Sequence, residues 1–302
     1  MVPHGEFMAG GLTIVGRARD VATDAAGRAR VLGEGEIKVE IDAARTATAI
    51  TTTPAVAVDD LRGASVGRGF RARLAELLPS EAAERSPLYL LLDDLPVAAL
   101  ISGYADLYRR DPEVTLEEST PSGRSAAVRV DICAGWASDA TMITSIRQSQ
   151  PFPVPVGPPA PALASADAIG WHEIGELAAG AMRRRRRLDM WRADAGALVV
   201  NAMFRDTHVS DDGEETVLHE WSVDAAVEAS TGIISSCEAT PHALPWGECP
   251  VAAASAHRLV GIEVTLLRTL VNQELRGTST CTHLNDLLRS LADVGTLATH
   301  IP

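Results

Sequence analysis

The sequence predicts an α+β protein made of two similar halves, each an antiparallel sheet backed by helices, forming an internal pseudo-dimer. Three observations carry this. A strand-period segment followed by helix-period segments occurs twice in the same order. Identical residues recur between the two occurrences at a nearly constant spacing. A Pro-rich stretch separates them. The expected division is residues 1–149 as the N-terminal copy, 150–167 as a linker, and 168–302 as a connecting helix and the C-terminal copy.

The repeat is read directly. At an offset of 186, Arg19, Asp20, Gly27, Val31, Leu32 and Glu34 are identical to Arg205, Asp206, Gly213, Val217, Leu218 and Glu220. Further matches follow at offsets of 198 (Leu61, Gly63 and Val66 against Leu259, Gly261 and Val264) and 192 (Leu92, Asp94 and Leu95 against Leu284, Asp286 and Leu287). Three collinear stretches are the signature of an internal duplication.

In the second copy, "ALVVNAMFR" (197–205) reads as a strand and "SDDGE" (210–214) as a turn whose Asp-Gly step supplies a positive φ. "TVLHEWSVDAAVE" (216–228) alternates strictly, placing Val217, His219, Trp221, Val223, Ala225 and Val227 on one face. "IISSCEA" (233–239) is a third strand. Pro250 suits the first position of a helix that Gly261 ends. "HLNDLLRSLADVG" puts Leu284, Leu287, Leu288 and Leu291 on one helical stripe.

The first copy has the same order, with Val31, Gly33, Gly35, Ile37, Val39 and Ile41 on one strand face and helices in "GFRARLAELL" and "LPVAALISGYADLY". "SAAVRVDICAGW" (125–136) predicts an extra strand. "AIGWHEIGELAAGAMRRRRRLDMW" (168–191) predicts a connecting helix with its five arginines spread around the surface. The six prolines between residues 150 and 167 remove backbone donors and predict an extended strap without helix.

Composition narrows the function. Hydrophobic residues make up 46% of the 302 and aromatics only 4%, so the core is aliphatic. A net charge of -13 excludes general nucleic-acid binding, which needs a basic surface. No run of about 18 apolar residues suggests a membrane span, and the start lacks a signal-peptide pattern, so a cytoplasmic location is expected. Four cysteines in such a chain are expected as thiols, ligands or core residues and not as disulfides.

The chemistry-bearing residues concentrate in the second copy. His219 aligns with Gly33, and Cys281 and His283 align with Tyr89 and Leu91. Cys249 lies in "PWGECP", within a segment the first copy lacks. Both cysteines mark helix starts, where N–H groups favour a thiolate, and His219 points to the face those helices cover. His219, Cys249, Cys281 and His283 are therefore candidate ligands of one divalent metal, with zinc foremost because it takes Cys and His donors. Asp286, Glu248 and Glu220 are candidate general acid/base groups. A metal-free polar or thiol site and a purely structural cluster are the alternatives.

"LPWGECP…LVG…CTHLND", with "DDLPVAALISGYA", "DICAGW" and "WHEIGELAAGAMRRRRRLDMW" upstream, resembles a bacterial domain-of-unknown-function family. That resemblance implies no established activity. The second copy also resembles the iron–sulfur scaffold proteins of NifU and SufU type. Cys249 and Cys281 are similar to that family's second and last ligand cysteines, and His219 stands where its first would be. The histidine, and Glu220–Trp221 in place of a Gly-Asp step, depart from the family and leave mononuclear metal binding open.

The expected function is a metal-dependent enzyme of lyase, hydratase or hydrolase type acting on a small organic substrate. The alternative is a non-enzymatic metal or iron–sulfur binding or scaffold protein. Expected partners are the small-molecule substrate and, in a homo-oligomer, further copies of the chain. Neither nucleic acid nor membrane is expected.

Overall fold

The computed structural model describes residues 10–108, 130–148, 150, 153–163, 169–193 and 196–301. The fold is α+β, with two antiparallel sheets, each with helices against one face. The strands are β1 (Leu12–Thr23), β2 (Ala29–Ile41), β3 (Ala47–Thr53), β4 (Met182–Arg192), β5 (Ala197–Val209), β6 (Glu215–Glu228) and β7 (Ile234–Ala243). The α-helices are α1 (Phe70–Leu77), α2 (Pro79–Glu84), α3 (Pro87–Ile101), α4 (Gly103–Tyr108), α5 (Thr141–Arg147), α6 (Leu267–Glu274), α7 (Thr282–Ser290) and α8 (Val294–Leu297). A 3₁₀ helix spans Cys249–Leu259.

The chain divides into two compact units. One holds the described residues of Met8–Asp106 and Pro161–Leu177, the other those of Leu107–Ala160 and Ala178–Pro302. The segment 130–160 thus belongs with the second unit.

In the first unit the sheet order is β1-β2-β3. Alternation along β2 buries Ile37, Val39 and Ile41, and α3 covers them with Leu88, Leu92 and Leu95. The stretch Pro87–Tyr108 is long and apolar enough to cross a bilayer by length and composition, contrary to the sequence expectation. Its α3 part packs on β1 and β2 as a core helix. That packing is close. A Cβ added at Gly35 would lie 2.9 Å from the backbone N and Cα of Leu88, whereas one at Gly33 would meet only Pro87 at 3.6 Å.

In the second unit the order is β4-β5-β6-β7. Trp221, Phe204, Val200, Val223 and Val227 form the sheet's inner face, and Leu284, Leu287 and Leu288 of α7 close over it. The registers of the two sheets correspond. Asp20 pairs with Gly33 and Asp206 with His219, and each strand carries a bulge at the next step, between Asp20 and Val21 and between Asp206 and Thr207.

Two sequence expectations are corrected. Residues 182–192 are a strand, not the end of a connecting helix, and residues 169–181 contain no helix. Arginine is a good helix former, but here a strand's alternation sorts the five arginines onto two faces, which lets Arg184 and Arg186 reach buried carboxylates. Within 125–136, residues 125–129 lie outside the described residues, and Ala134–Trp136 form a 3₁₀ turn in place of a strand. That turn is held by the Ala134 N–H donating to the Thr280 carbonyl at 2.9 Å.

The described residues of the Pro-rich segment contain no helix. They lie along the start of β6, where β7 does not reach. Val217 N–H donates to the Pro158 carbonyl at 2.9 Å, and Ala160 N–H to the Glu215 carbonyl at 2.8 Å. A Cβ at Gly157 would fall 1.6 Å from the Val217 oxygen, so only glycine fits. The Tyr108 hydroxyl donates to the Pro155 carbonyl at 2.6 Å, and its ring stacks on His208 with centroids 4.0 Å apart.

The two β2 glycines provide a paired test. Gly35→Ala should destabilise the protein by about 1–3 kcal/mol, because α3 must move away from the strand. Gly33→Ala should stay within about 0.5 kcal/mol of the parent. Urea unfolding of both variants measures the difference, and equal effects would contradict the close approach at Leu88.

Candidate functional site

The site lies in the second unit where β4, β5 and β6 run beneath the start of α7. In register, Arg184 lies opposite Asp206, and Asp206 opposite His219. All three point to the inner face, two residues from the Phe204–Trp221 pair of the apolar core. Arg184 donates from Nη1 to both carboxylate oxygens of Asp206 at 3.0 Å, and its Cζ sits 4.3 Å above the Phe204 ring. His219 Nδ1 is 3.5 Å from Asp206 Oδ2.

α7 brings the second half. Its residues 283, 286 and 289 are spaced one turn apart and so share a side of the helix. The His283 ring stacks on His219 with centroids 4.0 Å apart and planes at 25°. Asp286 gathers three guanidiniums: Arg184 at 3.4 Å, Arg186 at 3.4 Å and Arg289 at 3.3 Å. Asp206 is fully buried, and His219, His283 and Asp286 are buried as well. Among the described residues, the ligand-capable atoms of Asp206, His219 and His283 lie within 4.8 Å of one another.

Electrostatics fixes the state of one imidazole. Burial, then the neighbouring His219 and Arg184, hold His283 well below its ordinary value of 6.5, against the pull of Asp286. His283 is therefore neutral at pH 7, with a lone pair available. Its Nε2 is buried without a hydrogen-bond partner, as is the indole N–H of Trp221. An unmatched buried nitrogen costs about 1–3 kcal/mol, a cost that a bound partner would relieve.

The sequence-predicted residues divide. His219 and His283 come together. Cys281 caps α7, and its Sγ is 4.0 Å from His283 Nδ1, but it is not one of the three mutually close ligand groups. The Cys249 sulfur occupies the space beside Gly135, where an added Cβ would come within 2.9 Å of it, and it also stands outside that group. All four cysteines are free and buried. The N–H groups of Leu284 and His283 do favour the Cys281 thiolate, yet burial dominates and pushes that thiol up to about 12. Burial and the nearby Cys281 push Cys249 to about 12 as well.

Of the acid/base candidates, Asp286 lies at the site, engaged by three arginines. Glu248 accepts from the Thr141 N–H at 2.8 Å and its hydroxyl at 2.6 Å, holding the start of α5. Burial raises its carboxyl, but these hydrogen bonds outweigh it and keep the group below its ordinary value. Glu220 points to the opposite sheet face, where Arg205 donates to it at 2.7 and 2.9 Å.

Sequence reasoning missed Asp206, Arg184 and Arg186. Asp206 was visible as an identity with Asp20 in the repeat, and a carboxylate in phase with the apolar residues of a strand is a signal in itself. The arginines were concealed by the helix reading of their run.

Residues 182–296 match a family whose description is "Protein of unknown function (DUF2889)". The match begins at the first residue of β4 and takes in Arg184, Asp206, His219, Cys249, Cys281, His283 and Asp286. No curated protein and no solved structure matches the chain.

The His283 environment has a measurable consequence for stability. In the unfolded chain this imidazole binds a proton near its ordinary 6.5, and in the folded protein only at lower pH. The unfolded state therefore takes up the proton first as pH falls, and stability drops below about pH 6.5 until the folded-state value is passed. Urea midpoints measured from pH 8 to pH 5 should show this acid limb in the parent and a flatter one in His283→Asn. Identical limbs would exclude a depressed His283.

Proposed function

We propose that the chain is a metal-dependent enzyme acting on a small organic substrate, of lyase, hydratase or hydrolase type, with a divalent ion, zinc foremost, at Asp206, His219 and His283. The observation that carries this reading is the convergence of those three ligand groups within 4.8 Å, one of them a neutral imidazole with an unmatched nitrogen. Two imidazoles and a carboxylate are a donor set that divalent zinc and iron accept. A bound ion of this kind supplies a Lewis acid that polarises a carbonyl or water oxygen.

The chain's own residues would do the rest. Arg184 fixes the Asp206 carboxylate from the side away from His219, as outer-shell partners of ligands do. Asp286, tied to Arg184, Arg186 and Arg289, orients that arginine layer. The Cys281 thiol beside His283 offers a further donor. The one-sided distribution of these groups supports confining the chemistry to the second copy. The common register and common bulge position support reading the two sheets as a duplication. A cytoplasmic setting accords with four free thiols.

The second reading is a non-enzymatic metal or iron–sulfur holder of NifU or SufU type. It is favoured by the burial of every ligand group, which leaves little room for a substrate.

Metal analysis of freshly purified protein separates these. The parent should carry about one equivalent of a divalent metal. His283→Gln, His219→Gln and Asp206→Asn should each lower its affinity by roughly tenfold or more, with the fold checked by circular dichroism. Retention of metal in His283→Gln would refute the site. Loss in Cys281→Ser as well would indicate a closed four-ligand shell and favour the holder.

A further inference from the structure

The arginine run has a second face that the metal site does not use. Arg183, Arg185 and Arg187 alternate with Arg184 and Arg186 and point away from the core. Across the sheet on that face, Arg185 pairs in register with Arg205, and Arg205 with Glu220. The carboxylates on this face are already committed. Glu220 takes two hydrogen bonds from Arg205, at 2.7 and 2.9 Å. Glu215 accepts from the Thr207 hydroxyl at 2.5 Å and lies 3.7 Å from Arg183 Nε. Asp189 is 2.7 Å from Arg187.

Arg185 is different. Among the described residues it has neither a hydrogen bond nor an ion pair, and it is half-buried between cations. Burial, followed by Arg183 and Arg205, disfavours its charged form, and Glu215 compensates only in part. An arginine cannot escape by losing its proton at physiological pH, so it keeps its charge under local repulsion. A half-buried position also weakens solvent screening. Such an arrangement costs stability in the free protein and repays it when an oxyanion arrives.

We propose that Arg185, flanked by Arg183 and Arg205, is an anion-binding site for the phosphate group of a small phosphorylated molecule. The planar guanidinium can donate two parallel hydrogen bonds to a phosphate, which carries close to two negative charges at neutral pH. The inference is independent of the metal site, since its residues lie on the other face of the sheet.

The test is thermal unfolding of the full chain at pH 7 in inorganic phosphate, in chloride and in acetate at matched ionic strength. Phosphate should raise the parent's Tm saturably above its value in chloride, by roughly 3 °C or more. Arg185→Gln should match or exceed the parent's Tm in chloride, because a repelled charge is removed, and should lose the phosphate increment. Arg185→Lys keeps the charge but not the fork, and should need roughly tenfold more phosphate for the same rise. Four results would each overturn the proposal: no phosphate effect on the parent, an equal increment in Arg185→Gln, a lower Tm of Arg185→Gln in chloride, or an acetate effect as large as that of phosphate. The third would mean that the protein itself holds Arg185.

Discussion

The second unit is organised around one carboxylate with no access to water. Asp206 is fully buried, and a buried charge is tolerated only when it is paired and hydrogen-bonded. Arg184 meets both of its oxygens, and this requirement propagates outward. Arg184 can face Asp206 only if residues 182–192 form a strand in register with β5. Bringing a guanidinium into the core then calls for further charge balance, which Asp286 supplies from α7, and Asp286 in turn draws in Arg186 and Arg289. The start of α7 is thereby held over His219, which is how His283 comes to stack on it. Replacing Asp206 would strand a buried cation, an outcome that usually costs several kcal/mol.

Much of this was legible from residue pattern. The strict alternation in "TVLHEWSVDAAVE" identified the inner face of β6 from His219 onward, including Trp221, whereas the bulge puts Val217 opposite Thr207 on the other face. The leucine stripe of α7 buries as its spacing requires. These succeed because a half-buried strand and an amphipathic helix each write their period into the chain. The arginine run carries no apolar period, so propensity was the available guide, and tertiary pairing overrode it. Asp206 was unreadable as a site residue for a related reason: its partners come from β4, β6 and α7, and only the register brings them together. The cysteines depend on a quantity that residue pattern does not carry. The N–H contacts expected at a helix start are present at Cys281, but the balance between those dipoles and burial depends on depth, which the sequence does not state.

The two sheets solve the same packing problem in opposite ways. On β2, Gly33 and Gly35 let the first turn of α3 settle onto the strand, with Leu88 against Gly35. The positions 186 residues later hold His219 and Trp221, which are buried beneath α7. One sheet gives the interval to close packing, the other to a buried polar cluster. His219 is accommodated there because its ring stacks on His283 and faces the Asp206 carboxylate.

The Pro-rich strap bears on how the chain avoids self-association. β7 covers β6 only from Glu220 onward, which leaves the first residues of β6 with an open edge of the kind that recruits strands from other molecules. Pro158 and Ala160 occupy that edge, so its donors and acceptors are used internally. The strap itself is a poor template for the next strand, because Pro159, whose backbone faces away from β6, has no N–H to offer outward. The sheet is thus ended by a segment that can receive pairing but is poorly suited to extend it, a built-in stop against edge-to-edge aggregation.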